Sequence, residues 1–91
     1  MIHVVCYDIS DDRRRYQVAR VLLDFGTPVQ LSVWECILDR VLLHQLQQRL
    51  GEVELDPEDS IRIYPVCERC AGNTILLGSG ALAHDPDLYI V

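Results

Sequence analysis

The segment Ile2–Asp8 (IHVVCYD) constrains the fold more than any other part of the chain. Val4, Val5 and Cys6 are apolar in succession, so a strand built from them has no polar side to give to water. Such a strand belongs in the middle of a sheet. A helix-period segment follows it. Ser10 is a good N-cap, and Asp11 and Asp12 then fall in the first turn, where the macrodipole favours anions. Tyr16, Ala19, Leu22 and Leu23 recur at helical spacing, with Val18, Val21 and Phe25 widening the stripe and Gly26 placed to stop it.

Pro28–Leu38 (PVQLSVWECIL) reads as strand again, but its apolar phase changes. It begins on Val29, Leu31 and Val33 and continues on Trp34, Cys36 and Leu38. A period-two pattern that changes face implies a bulge, or a strand that leaves one sheet for another. Asp39 caps a second helix with Leu42, Leu43, Leu46 and Leu50 on its inner face and Gly51 at its end. An acidic loop, EVELDPED, leads to a third strand at Ser60–Val66 with Ile61 and Ile63 inward. CERCAGN is expected to turn into a fourth strand at Thr74–Leu77, and the terminal LYIV (Leu88–Val91) reads as a possible fifth.

The order is β-α-β, α, then β-β. With the second strand folding back on itself, or with a short extra strand, this is an α+β, ferredoxin-like βαββαβ sandwich carrying an extra C-terminal strand. Residues 1–78 form the domain, and 79–91 form a tail whose last strand is expected to pair across a dimer. Ninety-one residues bury only ~60% of the surface the unfolded chain exposes, so a single copy is marginal. At 49% hydrophobic the chain is rich in apolar surface for its size, which makes a homodimer the natural expectation.

A net charge of −6 argues against nonspecific coating of nucleic acid, which runs on neutralising phosphate. All eight cations are arginine, a side chain suited to bidentate phosphate contacts, so any nucleic-acid role rests on a local patch. No apolar run is long enough for a membrane span, and no signal peptide is read at the N-terminus. A reducing cytoplasm is therefore expected for Cys6, Cys36, Cys67 and Cys70.

Three segments, YDISDDRRR after an apolar strand, GTPVQLSVWEC and SIRIYPVC, resemble in order and spacing a CRISPR-associated endonuclease or endoribonuclease family. It is the smaller of the two core proteins of the spacer-acquisition module. The resemblance covers nearly the whole chain. It implies a ferredoxin-like fold, a homodimer across the sheets, and a C-terminal strand exchanged with or added to the partner. It also implies metal-dependent cleavage of RNA or DNA in some members, and a scaffold role beside the module's integrase. The family's metal-binding aspartate falls on Asp8, preceded by the usual aromatic at Tyr7. The hydroxyl at the helix cap falls on Ser10 and a basic position on Arg15 or a neighbour. Trp34 stands where Phe is commoner. Thr27–Pro28 and Gln17 stand where some members carry arginines.

Read without the family, Asp8 is still the best candidate for chemistry. A carboxylate at a strand end, next to a turn and a helix start, can face solvent and a ligand. Mg²⁺ or Mn²⁺ is held by one or two carboxylates plus water and phosphate, so one Asp8 from each chain of a dimer would suffice. From spacing alone Asp8 reads as the start of a turn; the resemblance makes it a ligand. Asp11 and Asp12 are outer candidates. Arg13, Arg14, Arg15 and Arg20 spread over two helical turns and cannot share one face, and for Arg13 and Arg14 a solvated face is the expectation. CERC has metal-knuckle spacing, but Cys6 and Cys36 read as strand residues and complete no four-ligand site with it. Two CxxC pairs meeting across a dimer, a disulfide or plain turn residues all fit the sequence, and a plain or redox-labile turn is the expectation. His3, His44 and His84 are scattered. Two functions follow: a metal-dependent nuclease using Asp8, Ser10 and Arg15, or a dimeric scaffold that bridges integrase subunits and tracks DNA backbone with Asp8 idle. A small-molecule regulatory domain would want a polar or Gly-rich ligand loop, which the chain lacks.

Overall fold

A computed structural model describes residues 1–83. The elements run β1 (Ile2–Asp8), α1 (Asp12–Leu22), β2 (Gly26–Gln30), β3 (Val33–Ile37), α2 (Arg40–Gly51), β4 (Ser60–Val66) and α3 (Glu68–Gly72). The four strands form one antiparallel sheet in the order β2-β3-β1-β4. β1 and β2 therefore run parallel with β3 between them, and β3 and β4 run parallel with β1 between them. Two such split βαβ units make the ferredoxin-like sandwich expected from the element order.

The apolar β1 is central, as its sequence demands. Its alternation sorts the sheet into two faces. Val5 lies opposite Trp34 on one side and Ile63 on the other, and His3 lies opposite Cys36. These residues meet α1 and α2. Val5, Val18, Leu22, Cys36 and Leu46 are completely buried there, with Ile9, Trp34, Leu38 and Leu50 beside them. Ile2, Val4, Cys6 and Asp8 point to the opposite face, along with Ser60, Arg62, Tyr64 and Val66 of β4. That face carries no α1 or α2.

The phase change in 28–38 is a hairpin. Leu31 and Ser32 form the turn, and Ser32 takes a left-handed backbone at φ 61°. Pro28 pairs with Trp34 but Gln30 pairs with Val33, leaving Val29 as the extra residue of a bulge. The folding-back alternative was therefore the right one. Val29 is 48% exposed because β2 is an edge strand and Leu31 is 92% exposed in the turn, whereas the β3 residues lie beside β1.

Several local expectations fail for identifiable reasons. Asp11, not Ser10, caps α1, its Oδ2 accepting from the Arg14 N–H at 2.9 Å. The buried stripe of α1 is centred on Val18 and Leu22, while Tyr16 and Leu23 are 63% and 61% exposed. Both are apolar enough to mimic a wider stripe but lie to its sides. On α2, Asp39 is the cap, accepting from the Leu42 N–H at 2.8 Å. Leu46 and Leu50 are buried and Leu43 packs against them, but Leu42 is half-exposed.

Gly26 does not stop α1, which ends at Leu22; it opens β2. Its role is close approach. A Cβ there would overlap the Glu35 carbonyl oxygen and lie 2.5 Å from Cys36 Sγ. CERCAGN forms the short helix α3 rather than a bare turn. Thr74–Leu77 is not a strand: it joins neither edge of the sheet, and Ile75 and Leu77 stay 82% and 87% exposed. A strand needs a neighbour's hydrogen bonds, and local β propensity cannot supply them. The expected fifth strand, Leu88–Val91, and the pairing assigned to it lie outside the described residues.

Candidate active site at the end of the first strand

Asp8 closes β1 opposite Ser60 of β4. Its side chain is exposed on the face opposite α1 and α2 and makes no hydrogen bond or ion pair among the described residues. Cys6, Tyr7, Ser60 and Arg62 join it around a shallow concavity of about 220 Å³. A carboxylate beside a guanidinium and a hydroxyl can act on a phosphodiester: the anion can hold a cation, and the donors can hold phosphate oxygens. Arg62 donates to the Tyr64 hydroxyl at 3.2 Å, which steadies its head on the same face. Arg62 and Ser60 were not singled out from the sequence. Their alternation with Ile61 and Ile63 shows which face they share, but only the β1–β4 register puts them beside Asp8.

Ser10 and Arg15 stand just past Asp8, in different roles. Ser10 is exposed, with its hydroxyl unengaged. Arg15 Nη1 donates to the Ile9 and Ser10 carbonyl oxygens at 2.8 and 2.9 Å, and its other terminal nitrogen pairs with Asp12. Arg15 therefore braces the β1–α1 loop from within. Arg13 is exposed and makes no ion pair among the described residues. Arg14 is fully engaged: its Nε lies 2.9 Å from Asp59 and its Nη2 2.7 Å from Asp56, with Asp11 at 3.9 Å.

Asp59 holds that cluster together and has only 2% of its side chain exposed. It accepts from the Asp56 N–H at 2.9 Å, and this bond first of all pulls its carboxyl below the usual range. Desolvation opposes the shift, while the Arg14 guanidinium and the Ser10 N–H reinforce it. The DPED turn is thus pinned to the start of α1 and to the loop that follows Asp8. No local motif in the sequence announces this contact across 45 residues.

A larger open groove, about 840 Å³, lies elsewhere, between the start of α1 and residues 52–56. Asp11, Glu52, Glu54 and Asp56 line it with Arg13 and Arg14, and the excess of carboxylates over arginines disfavours phosphate there. Size alone does not make it the site. No group of three or more His, Cys, Asp or Glu among the described residues is placed to share a metal ion. A hard divalent cation fits one exposed carboxylate only if water, phosphate or a second Asp8 fills the remaining positions. Asp8, unpaired and facing away from the helices, leaves room for all three. No described helix is long and apolar enough to cross a membrane.

A ferredoxin-like sheet with a solvent-facing carboxylate at the end of a central strand places the protein among the small ferredoxin-like α+β proteins. Within it, residues 1–74 match the family model for CRISPR associated protein Cas2, and the chain belongs to that family. A CRISPR-associated endoribonuclease Cas2 of Chloroflexus aurantiacus is 42% identical, with 100% of this chain and 98% of the relative covered. A hypothetical protein of Thermus thermophilus has a solved structure with TM-score 0.77 and 45% identity, covering 89% of this chain and 94% of the other. Streptococcus pyogenes Cas2 gives TM-score 0.73 at 29% identity, covering 86% and 100% respectively.

Proposed function

We propose that this protein is a divalent-metal-dependent endonuclease of CRISPR spacer acquisition, acting as a homodimer on the phosphodiester bonds of RNA or DNA. The observation that carries the reading is the free carboxylate of Asp8 on the face opposite α1 and α2. Relatives named as endoribonucleases support the reaction class. Mg²⁺ or Mn²⁺ held at Asp8 would supply Lewis acidity and charge neutralisation at the scissile phosphate. Asp8 is fixed by the β1–β4 ladder, so it holds its position better than a loop carboxylate would. Arg62 and Ser60 are set to hold phosphate oxygens, and Ser10 offers a further hydroxyl from the adjoining loop. Arg15 serves as a positioning residue, because its bonds to the Ile9 and Ser10 carbonyls set the path of the chain leaving Asp8.

The homodimer has its own support. The face opposite α1 and α2 presents the half-exposed Tyr64 and Ile37, beside Ile2, Val4 and Val66, which border α3 and the stretch after it. A second copy against that face would cover them and bring two Asp8 carboxylates towards each other. Their repulsion is what a divalent cation relieves.

A second reading has one specific observation in its favour. The concavity at the end of β1 offers a single carboxylate per chain, Asp8, and Arg14 and Arg15 are already engaged. A dimeric scaffold that bridges integrase subunits and contacts DNA backbone, with Asp8 idle, needs no more than that. Cleavage of a panel of RNA, single-stranded and duplex DNA with Mg²⁺ or Mn²⁺ separates the two readings. Asp8→Asn should abolish metal-dependent cleavage and leave the dimer intact in sedimentation. Wild-type cleavage by Asp8→Asn would remove the Asp8 site. A chain that is inactive throughout but binds DNA and integrase would establish the scaffold.

A further inference from the structure

The CERC segment takes no part in the site at Asp8, yet its geometry is specific. β4 ends at Val66, and Cys67 caps α3 with its Sγ accepting from the Cys70 backbone N–H at 3.3 Å. That contact places the first sulfur over the backbone of the residue that bears the second. Helical neighbours three apart have Cβ atoms about 5–6 Å from each other, and a disulfide needs roughly 3.5–4.5 Å. Cys67 is the N-cap, with an extended backbone at φ −62° and ψ 156°, so a backbone adjustment at that residue, outside the helix, closes the difference. Both thiols are free and exposed.

The other two cysteines cannot compete. Cys36 is buried on the helix face, and burial pushes its thiol up to about 11. Cys6 points to the opposite face. It is four residues along β1 from Ile2, which pairs with Val66. That puts it about 13 Å from the start of CERC at the rise of a strand.

The pair is also asymmetric. A hydrogen bond from the Cys70 thiol, and then one from the Cys70 N–H, lower the Cys67 thiol below its ordinary range. The same sulfur–sulfur contact raises Cys70. The attacking thiolate is therefore Cys67 and the resolving thiol Cys70.

We propose that Cys67 and Cys70 form a thiol–disulfide exchange site that closes reversibly to an intramolecular disulfide by reaction with low-molecular-weight disulfides of the glutathione type. The Cys67 thiolate attacks one sulfur of the reagent. The reagent's S–S bond breaks, and one thiolate leaves and is protonated by water. Cys70 then loses its proton, and its sulfur attacks Cys67 Sγ in the mixed disulfide, expelling the second small thiolate. Two protein thiols are oxidised to one disulfide, and one small disulfide is reduced to two thiols. The bond spans only the first turn of α3, so it leaves the four-strand ladder unchanged. It staples the point where the chain leaves β4 for the stretch in which Ala71, Thr74 and Leu82 border Ile2 and Val4 on the face opposite α1 and α2.

The test is intact-mass and peptide-resolved mass spectrometry of the full chain in mixtures of oxidised and reduced glutathione. The expected wild-type product lacks two hydrogens and maps to a Cys67–Cys70 link that dithiothreitol reverses. Cys70→Ser, which keeps the backbone N–H that donates to Cys67, should instead accumulate a glutathione adduct on Cys67, and neither single variant should form the intramolecular link. Competitive alkylation of the unmodified wild type needs no variant and should label Cys67 before Cys70. Equal labelling of the two, a persistent mixed disulfide in the wild type, oxidation mapping to Cys6, or stoichiometric zinc in the purified chain would each overturn the proposal.

Discussion

Gly26→Ala tests a close backbone approach in the sheet. A Cβ at this position would overlap the Glu35 carbonyl oxygen and sit 2.5 Å from Cys36 Sγ and 2.9 Å from Cys36 Cα. Two of those three atoms are backbone of β3, which is held on its other side by five residue pairs with β1 from Ile2↔Ile37 to Cys6↔Val33. Neither can yield without opening a ladder. Overpacking a close contact costs about 1–3 kcal/mol, and rigid backbone neighbours place this case near about 3 kcal/mol. A chain of this length has a total stability of roughly 5–14 kcal/mol. With about 4–8 °C lost per kcal/mol, the melting temperature should fall by about 12–24 °C. Urea denaturation should show a lower midpoint at an unchanged slope. In a double-mutant cycle, Cys36→Ala should relieve only about 1 kcal/mol, because it removes the sulfur and leaves the carbonyl in place. Gly51→Ala, where nothing lies within 4 Å of the added Cβ, is the control and should be neutral or stabilising. A Gly26→Ala protein within about 0.5 kcal/mol of wild type would refute the close-approach argument.

Two neighbouring leucines separate the buried face of α1 from its flank: Leu22→Ala should cost about 2–5 kcal/mol in urea denaturation, and Leu23→Ala, at a site 61% exposed, should cost well under that. Comparable losses at both positions would mean that Leu23 is covered in solution. The carboxyl of Asp59 is held below its unfolded value, so its contribution to stability is complete above the ordinary carboxylate pKa, ~4, and is lost as pH falls through the lower folded value. Thermal melts of Asp59→Asn should therefore lie below wild type at neutral pH and converge with it in acid; parallel curves across the whole range would mean that the Arg14–Asp59 contact does not persist in solution.

The sequence by itself determined the alternation of strand and helix as far as β4, the central place of β1, the cap of α2 at Asp39 and the limits of β4. These rest on local patterns: an apolar run with no polar face, a capping carboxylate, a period of two in SIRIYPV. It also marked Asp8, because the quoted segments resemble a known family and the residue ends the strand that could not be anywhere but the centre. Tertiary structure decided what lies beside that carboxylate. Ser60 and Arg62 come from a distant segment of the chain and reach Asp8 only through the antiparallel β1–β4 register. The same holds for the arginines. RRR looks like one cluster, yet helical rotation and the distant Asp56 and Asp59 engage Arg14, turn Arg15 back onto its own loop and leave Arg13 exposed. The propensity of Thr74–Leu77 for strand came to nothing because it joins no sheet edge. A period along the chain tells which way each side chain faces; what it meets there is set by non-local pairing, which no local pattern encodes.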